Sequence, residues 1–469
     1  MTDGPTFSFI LTAAVKGWRD TDSDESPLSL ALPINFVDPL KQLPLLAKDQ
    51  EFSFLWDNSP NLCFAAAGRC QQFEMCGPRR FELAQRFSDD VIGRLKNVTP
   101  EAPTYALPKI LLAFSFFEQT SERLVMQGVS PAVQAVLPRW QLACFEGSSW
   151  LRLNAVPTNE AETRELVEKL WLMRETLIKS SEGYDLVSKN TFSRASFPNT
   201  WQDSYRPSLI RGIDLVNQGC LEKLVLAARQ SIPLKKHLDP LPILLRLRNQ
   251  QSNSCRLLWQ RNLNETLFGA SPERLFSLFQ GKFRSDALAG TARRKDNGEA
   301  LLRSEKDLRE HQLVVTSIVQ QLVNQGLQPR VPRAPKLSKH GQIVHLHTPI
   351  VATAKGHIPL QLASALHPTP AVAGLPRKEA MSWLRTLEPF ERGSYAAPIG
   401  WIDTRGNSEF RVAIRCANVR GNLLEVTAGA GLVKGSIVER EMEEVGLKLG
   451  VLAEQLDSQS TKLSSRSMI

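Results

Sequence analysis

A lysine inside an apolar run is the first residue here whose type and setting suit chemistry: Lys223 in LEKLVLAAR. Its charge is costly to bury unless it is paired or lost. Such a lysine most often snorkels from a strand edge; the chemical alternative is a general base, which acts through the neutral amine. Glu273 follows in GASPERL, a carboxylate just past a turn, where acids are commonly plain surface. DALAGTARR then sets Ala289, Gly290 and Thr291 after an apolar run, and small residues with free backbone N–H groups let an anion approach closely. Glu310 and His311 share a helical segment whose buried face is marked by Leu308, Val315, Ile318 and Leu322. His311 lies on that face. Glu310 lies at its margin, either solvated or turned inward to hold a hard cation. Finally, AGAGLVKGSIVEREMEEVGLK reads as a Gly-Ala-Gly turn running into a helix, with Glu441, Glu444 and Lys448 at i, i+3 and i+7 on one stripe. A solvent face with an ordinary i,i+4 Glu–Lys pair accounts for that stripe. So does a pair of metal-binding carboxylates beside a cation, all facing one pocket.

The elements that must position these residues are short apolar segments interleaved with amphipathic helices, without repeats. Residues 52–73 read as two strands around an Asn-Ser-Pro turn, and 106–118 as a strand. Residues 140–156 read as a pair hinged at Gly147-Ser148-Ser149. Residues 159–181 are helical, with Leu166, Leu170, Met173 and Leu177 on one face. In the second half, 221–232, 255–262 and 266–288 supply strands and 299–324 a long helix. A last helix from about Ser436 to Leu456 carries the stripe Met442, Val445, Leu449, Leu452 and Leu456. The acidic run at 20–26 reads as a solvated loop and the polar tail 457–469 as disordered. Strands and helices without strict βαβ alternation point to an α+β fold.

The composition narrows the function classes. Apolar residues at 42% and charged residues at 22% suit a globular chain with a sizeable core. The net charge of +9 is spread along the chain with no reader motif, so a nucleic-acid role is not expected, and basic groups around a small anionic substrate are. Seven cysteines lack CxxC spacing or a nearby histidine, which argues against zinc and against a disulfide framework. No apolar run reaches the about 18 residues of a membrane span, and the N-terminus lacks leader features, so a cytoplasmic location is expected.

Taken in order, the motifs resemble those of the chorismate-utilising enzymes. The match runs from about residue 200 to 455 through KLVLAAR, FGASPERL, ALAGTARR, REHQLVV, HLHTPI, LHPTPAVAGLP, ERGSYAAPIGW, FRVAIRCA, AGAGLVKGS and EREMEEVGLK. FLWDNSP, LPKILLAFSF and LPRWQL extend it more loosely over residues 1–199. The resemblance implies one domain over 1–469, with two packed antiparallel sheets flanked by helices. It implies Lys223 as the base that activates water and Glu273 as the acid that protonates a departing hydroxyl. Glu310, Glu441 and Glu444 would hold or surround Mg²⁺. Arg415, Tyr395 and Lys448 would contact substrate carboxylates, and Gly429 and Gly431 would offer backbone donors. His345, Ala289, Gly290 and Thr291 would line the same pocket.

Within the family, Lys223 speaks against the ammonia-using anthranilate synthases, and Ala289 against the aminodeoxychorismate type, which has lysine there. ALAGT and LHPTPAV resemble the isochorismate synthases, with the salicylate synthases second. The implied reaction is Mg²⁺-dependent conversion of chorismate to isochorismate, feeding menaquinone or phylloquinone synthesis, with a siderophore pathway as the alternative and no obligatory glutaminase subunit. A non-catalytic family member would be expected to lack Lys223, Glu273 or a metal glutamate, and all are present. Departures are Ser394 where a bulky residue is usual, Ala397 where glycine is usual, and Ile437-Val438 in place of Asp-Pro. The last leaves Ser436 as the expected cap of the final helix.

Overall fold

The computed structural model describes residues 5–21, 25–119, 130–180, 201–294 and 298–457. The tail after Asp457 and part of the acidic run lie outside them, though Ser26 at the end of that run is buried.

β-Branched and aromatic residues alternate or run together along the strands, and they pair antiparallel throughout, save a short parallel contact of Leu28–Ser29 with Lys96–Asn97. The branch point is the long strand Val133–Phe145. One edge pairs with Cys63–Met75; the other is shared between Lys109–Phe114 and Ser148–Ala155. One arm of the network continues from Cys63–Met75 through Ser53–Asp57, Cys255–Asn262, Glu265–Ser271, Cys416–Arg420 and Leu423–Leu432 to Lys223–Pro233. The other runs through Pro398–Asp403, Ser408–Val412, Arg274–Phe279, Lys282–Arg293 and Ile343–Thr353 to Lys336–His340.

The arms face each other across an aromatic core. Phe54, Trp56, Phe64 and Trp259 from the first meet Leu111, Ile399 and Trp401 from the second, with the Phe64 and Trp401 rings edge-to-face at 6.2 Å. Burying each such side chain contributes about 1.5–3 kcal/mol, which fixes how the two arms stack. Helices cover the outer faces, giving the α+β sandwich that the sequence implied. All seven cysteines are free, and no helix among the described residues is long and apolar enough to cross a membrane.

Several local readings change. Residues 299–324 are not one helix: a 3-10 turn spans Gly298–Leu302, and Ser304 caps the helix Glu305–Asn324 by accepting from the Asp307 N–H at 3.3 Å. The Gly-Ala-Gly segment is not a turn but the end of the strand Leu423–Leu432. Ser436 does not cap the final helix, Val438–Asp457; its hydroxyl accepts from the Val433 N–H at 3.2 Å and supports Glu441. The N-terminal segment forms a helix, Phe7–Arg19, capped by Thr6 and packed on Glu160–Ser180 through Phe7 and Trp171.

Candidate active site

Two short links carry the chain from one arm of the sandwich to the other, and each bears a functional residue. Pro272-Glu273 joins Glu265–Ser271 to Arg274–Phe279; Ala413-Ile414-Arg415 joins Ser408–Val412 to Cys416–Arg420. The links are stitched together: the Ala270 N–H donates to the Arg415 carbonyl at 3.1 Å, and the Val412 N–H to the Glu273 carbonyl at 3.1 Å. A Cβ on Gly269 would lie 2.3 Å from the Arg415 carbonyl oxygen, so this crossing requires glycine. Arg415 itself has φ of 55°, a left-handed conformation that L residues adopt at a cost.

Lys223 begins the strand Lys223–Pro233 and is 1% exposed, so the snorkelling alternative is excluded. Its Nζ lies 2.9 Å from Glu310 Oε1. Glu310 is therefore not at a solvated margin; it projects inward from Glu305–Asn324 and is buried. His311 beside it faces away, with Nε2 2.7 Å from the Thr348 hydroxyl. The neighbouring strand makes room for the pair, because a Cβ on Gly431 would fall 2.2 Å from Glu310 Oε1 and 3.0 Å from Lys223 Cε.

From the final helix, Glu444 accepts from Lys448 Nζ at 2.6 Å and from the Thr291 hydroxyl at 3.0 Å. Lys448 also donates to the Gly429 carbonyl at 2.8 Å, so Gly429 meets the site through its acceptor. Burial alone would raise the Glu444 carboxyl, but Lys448 and Thr291 hold it below its usual range. Glu441 is 1% exposed and is pushed up by burial and by the charge of Glu444. Lys306, which the sequence reading missed, pairs with Glu441 at 2.6 Å.

His345 orders the far wall. Its Nδ1 lies 2.8 Å from the Gly290 carbonyl and its Nε2 3.2 Å from Arg415 Nη2. Burial and the Arg415 charge hold the ring well below its ordinary pKa. The neutral ring thus donates from Nδ1 and accepts from Arg415 at Nε2. Arg415 is pushed down to about 10 by burial, and no carboxylate among the described residues pairs with its guanidinium. Burial likewise raises Glu273 to about 7, against the opposing pull of Lys223, with the Thr369 hydroxyl 3.5 Å away. Tyr395 is buried and raised to about 12.

These groups line one cleft of about 650 Å³, mouth included, within the range of ligand pockets. Of the residues singled out from sequence, Glu441 and His311 stand off the wall rather than on it. Val225 and Thr427 from strands and Ile414 from the link beside Arg415 also line it, and none carried a sequence signal of its own. The cleft combines a buried amine, a carboxyl that is half protonated near neutrality and an unpaired guanidinium. It suits acid–base chemistry on an anion. Among the described residues no three acidic, histidine or cysteine side chains close up as a ready metal cage. The chemistry of the donors is nevertheless that which a hard divalent cation takes: Glu310, Glu441 and Glu444 each pair with a lysine, Glu441 and Glu444 repel each other, and all three act on Lys306.

The chain belongs to the chorismate binding enzyme family, whose model matches residues 12–457. It is 40% identical over 256 residues to the salicylate biosynthesis isochorismate synthase of Pseudomonas aeruginosa, covering 52% of this chain and 53% of that one. It is 35% identical to the isochorismate synthase MenF of Bacillus subtilis, covering 53% and 54%. In these alignments the chain spans about half the length of the relatives it matches. Its fold is similar to that of the menaquinone-specific isochorismate synthase MenF of Escherichia coli, with a TM-score of 0.74 at 23% identity, covering 96% and 99%.

Proposed function

We propose that this protein is a single chorismate-binding domain that converts chorismate to isochorismate and depends on Mg²⁺. One observation carries the reading: Lys223 and Glu273 open onto a cleft that also presents an unpaired, buried Arg415. Chorismate is a dianion. Arg415, beside Tyr395, suits one carboxylate, and Lys448 the other. Lys223 takes a proton from water as the water oxygen bonds to a ring carbon. The ring double bonds shift, and the Glu273 proton goes to the departing hydroxyl, which leaves as water. Before this, Lys223 must leave its ion pair with Glu310 and give up its extra proton to solvent, so that the amine is neutral. Glu310, Glu441 and Glu444 would hold the Mg²⁺, which when bound supplies positive charge at the substrate's ring carboxylate.

Water as nucleophile requires no glutaminase partner. The relatives' names span salicylate, menaquinone and vibriobactin routes, each of which an isochorismate product could enter. The test is product analysis with purified protein, chorismate and Mg²⁺, without ammonia or glutamine. Isochorismate alone is the expected product. Salicylate with released pyruvate would favour salicylate synthase instead. Unchanged chorismate would overturn both.

A further inference from the structure

Lys306 has no task in the proposed reaction, yet its position is unusual. It is the second residue of the helix Glu305–Asn324, where a cation opposes the positive end of the helix dipole. It also precedes Glu310 by four, the less favourable order for an i,i+4 pair. The helix therefore gives no reason for a lysine here. The facing carboxylates do: its Nζ meets Glu441 on another helix at 2.6 Å, and Glu310 and Glu444 add to the field that holds it. Glu441 is 1% exposed, and a buried carboxylate stripped of its partner is strongly destabilising.

The charges in and behind the cleft decide what must happen when ligands arrive. Lys223, Lys306 and Lys448 each hold one carboxylate of the cluster, Glu310, Glu441 and Glu444 respectively. A divalent cation taken up by these carboxylates competes with the lysines for the same oxygens, so one resident cation must leave. Side-chain exposure singles out which: 1% for Lys223 and 16% for Lys448, but 28% for Lys306. Arg415 is 9% exposed.

We propose that Lys306 is a resident counter-cation: it fills the glutamate cluster while the cluster awaits its metal and swings outward when Mg²⁺ binds. Its pairing with Glu441 thereby sets the metal affinity. This rests on the Mg²⁺ reading above. It is tested by titrating MgCl₂ calorimetrically into the full chain, wild type and Lys306→Met, with and without chorismate. Thermal melting of both proteins in EDTA and in Mg²⁺ accompanies the titration. Without chorismate, Lys306→Met should bind Mg²⁺ about tenfold more tightly, the factor that about 1.4 kcal/mol of competing ion pair supplies. It should melt below the wild type in EDTA and recover in Mg²⁺. Lys306→Arg, which keeps the competing charge, should retain wild-type affinity.

Equal or weaker Mg²⁺ binding by Lys306→Met overturns the counter-cation role and leaves the metal assignment standing. Equal tightening by the arginine variant overturns it too, since charge would then not be the cause. Absence of Mg²⁺ binding by all proteins, with and without chorismate, overturns the metal assignment and this inference with it.

Discussion

Replacing Glu273 with glutamine should stop turnover and, at alkaline pH, stabilise the fold. The carboxyl is 4% exposed and raised from 4.5 to about 7, chiefly by burial. An acid raised in the folded state binds more protons folded than unfolded between those two values, so stability falls as pH rises from 4.5 to about 7 and then levels off. That gap, at about 1.36 kcal/mol per pH unit, amounts to about 3 kcal/mol lost by pH 8. Glutamine has the same shape and stays neutral, so Glu273→Gln escapes the loss. Over 469 residues, at about 2.1 cal/mol/K each, the unfolding entropy is about 1 kcal/mol/K, so the effect is about 3 °C in melting temperature. The assay is thermal melting of both proteins from pH 5 to pH 8. The variant's advantage should grow with pH and level off above about 7, the value above which wild-type turnover should also decline. An offset that does not change with pH would refute the raised carboxyl, and turnover retained by the variant would refute its role as acid.

Three further substitutions test the other parts of the cleft. Lys223→Ala should abolish turnover while calorimetry still registers chorismate; because it leaves buried Glu310 unpaired, it should also cost about 3 kcal/mol of stability by urea unfolding. Arg415→Met should raise KM about 10- to 150-fold, the weight of a lost charge-assisted contact of about 1.5–3 kcal/mol, without lowering the melting temperature. Gly431→Ala would place a methyl 2.2 Å from Glu310 Oε1. It should cut kcat at least tenfold and cost about 1–3 kcal/mol; near-normal turnover would show that the Lys223–Glu310 geometry is not needed.

The strands flanking turns were legible because alternation and Gly, Pro or Asn punctuation are local signals: Cys255–Asn262 falls on residues 255–262 as read. The branching at Val133–Phe145 was not, because which strands share an edge is decided by inter-arm packing of residues such as Phe64 and Trp401, far apart in sequence. The break before Glu305 was missed although Ser304 is an ordinary cap residue, since apolar periodicity runs on past it. The site's membership came from the resemblance. Taken singly, Lys223 favoured a strand edge and Glu273 a surface turn. What burial does to each depends on neighbours that only the fold supplies.

The cleft is where local rules and the global fold disagree, and the disagreements converge. A lysine lies fully buried in an apolar strand; an arginine adopts a left-handed backbone without a carboxylate partner; a carboxyl is held near neutrality; and a lysine occupies the wrong end of a helix dipole. Each costs stability where it stands. None is relieved by its own element, and each is answered, or left open, by a group from another: Glu310 for Lys223, Glu441 for Lys306, and for Arg415, among the described residues, His345 without a carboxylate. Gathered around one cleft, with one buried cation still unpaired, they describe a surface whose missing partner is an anion.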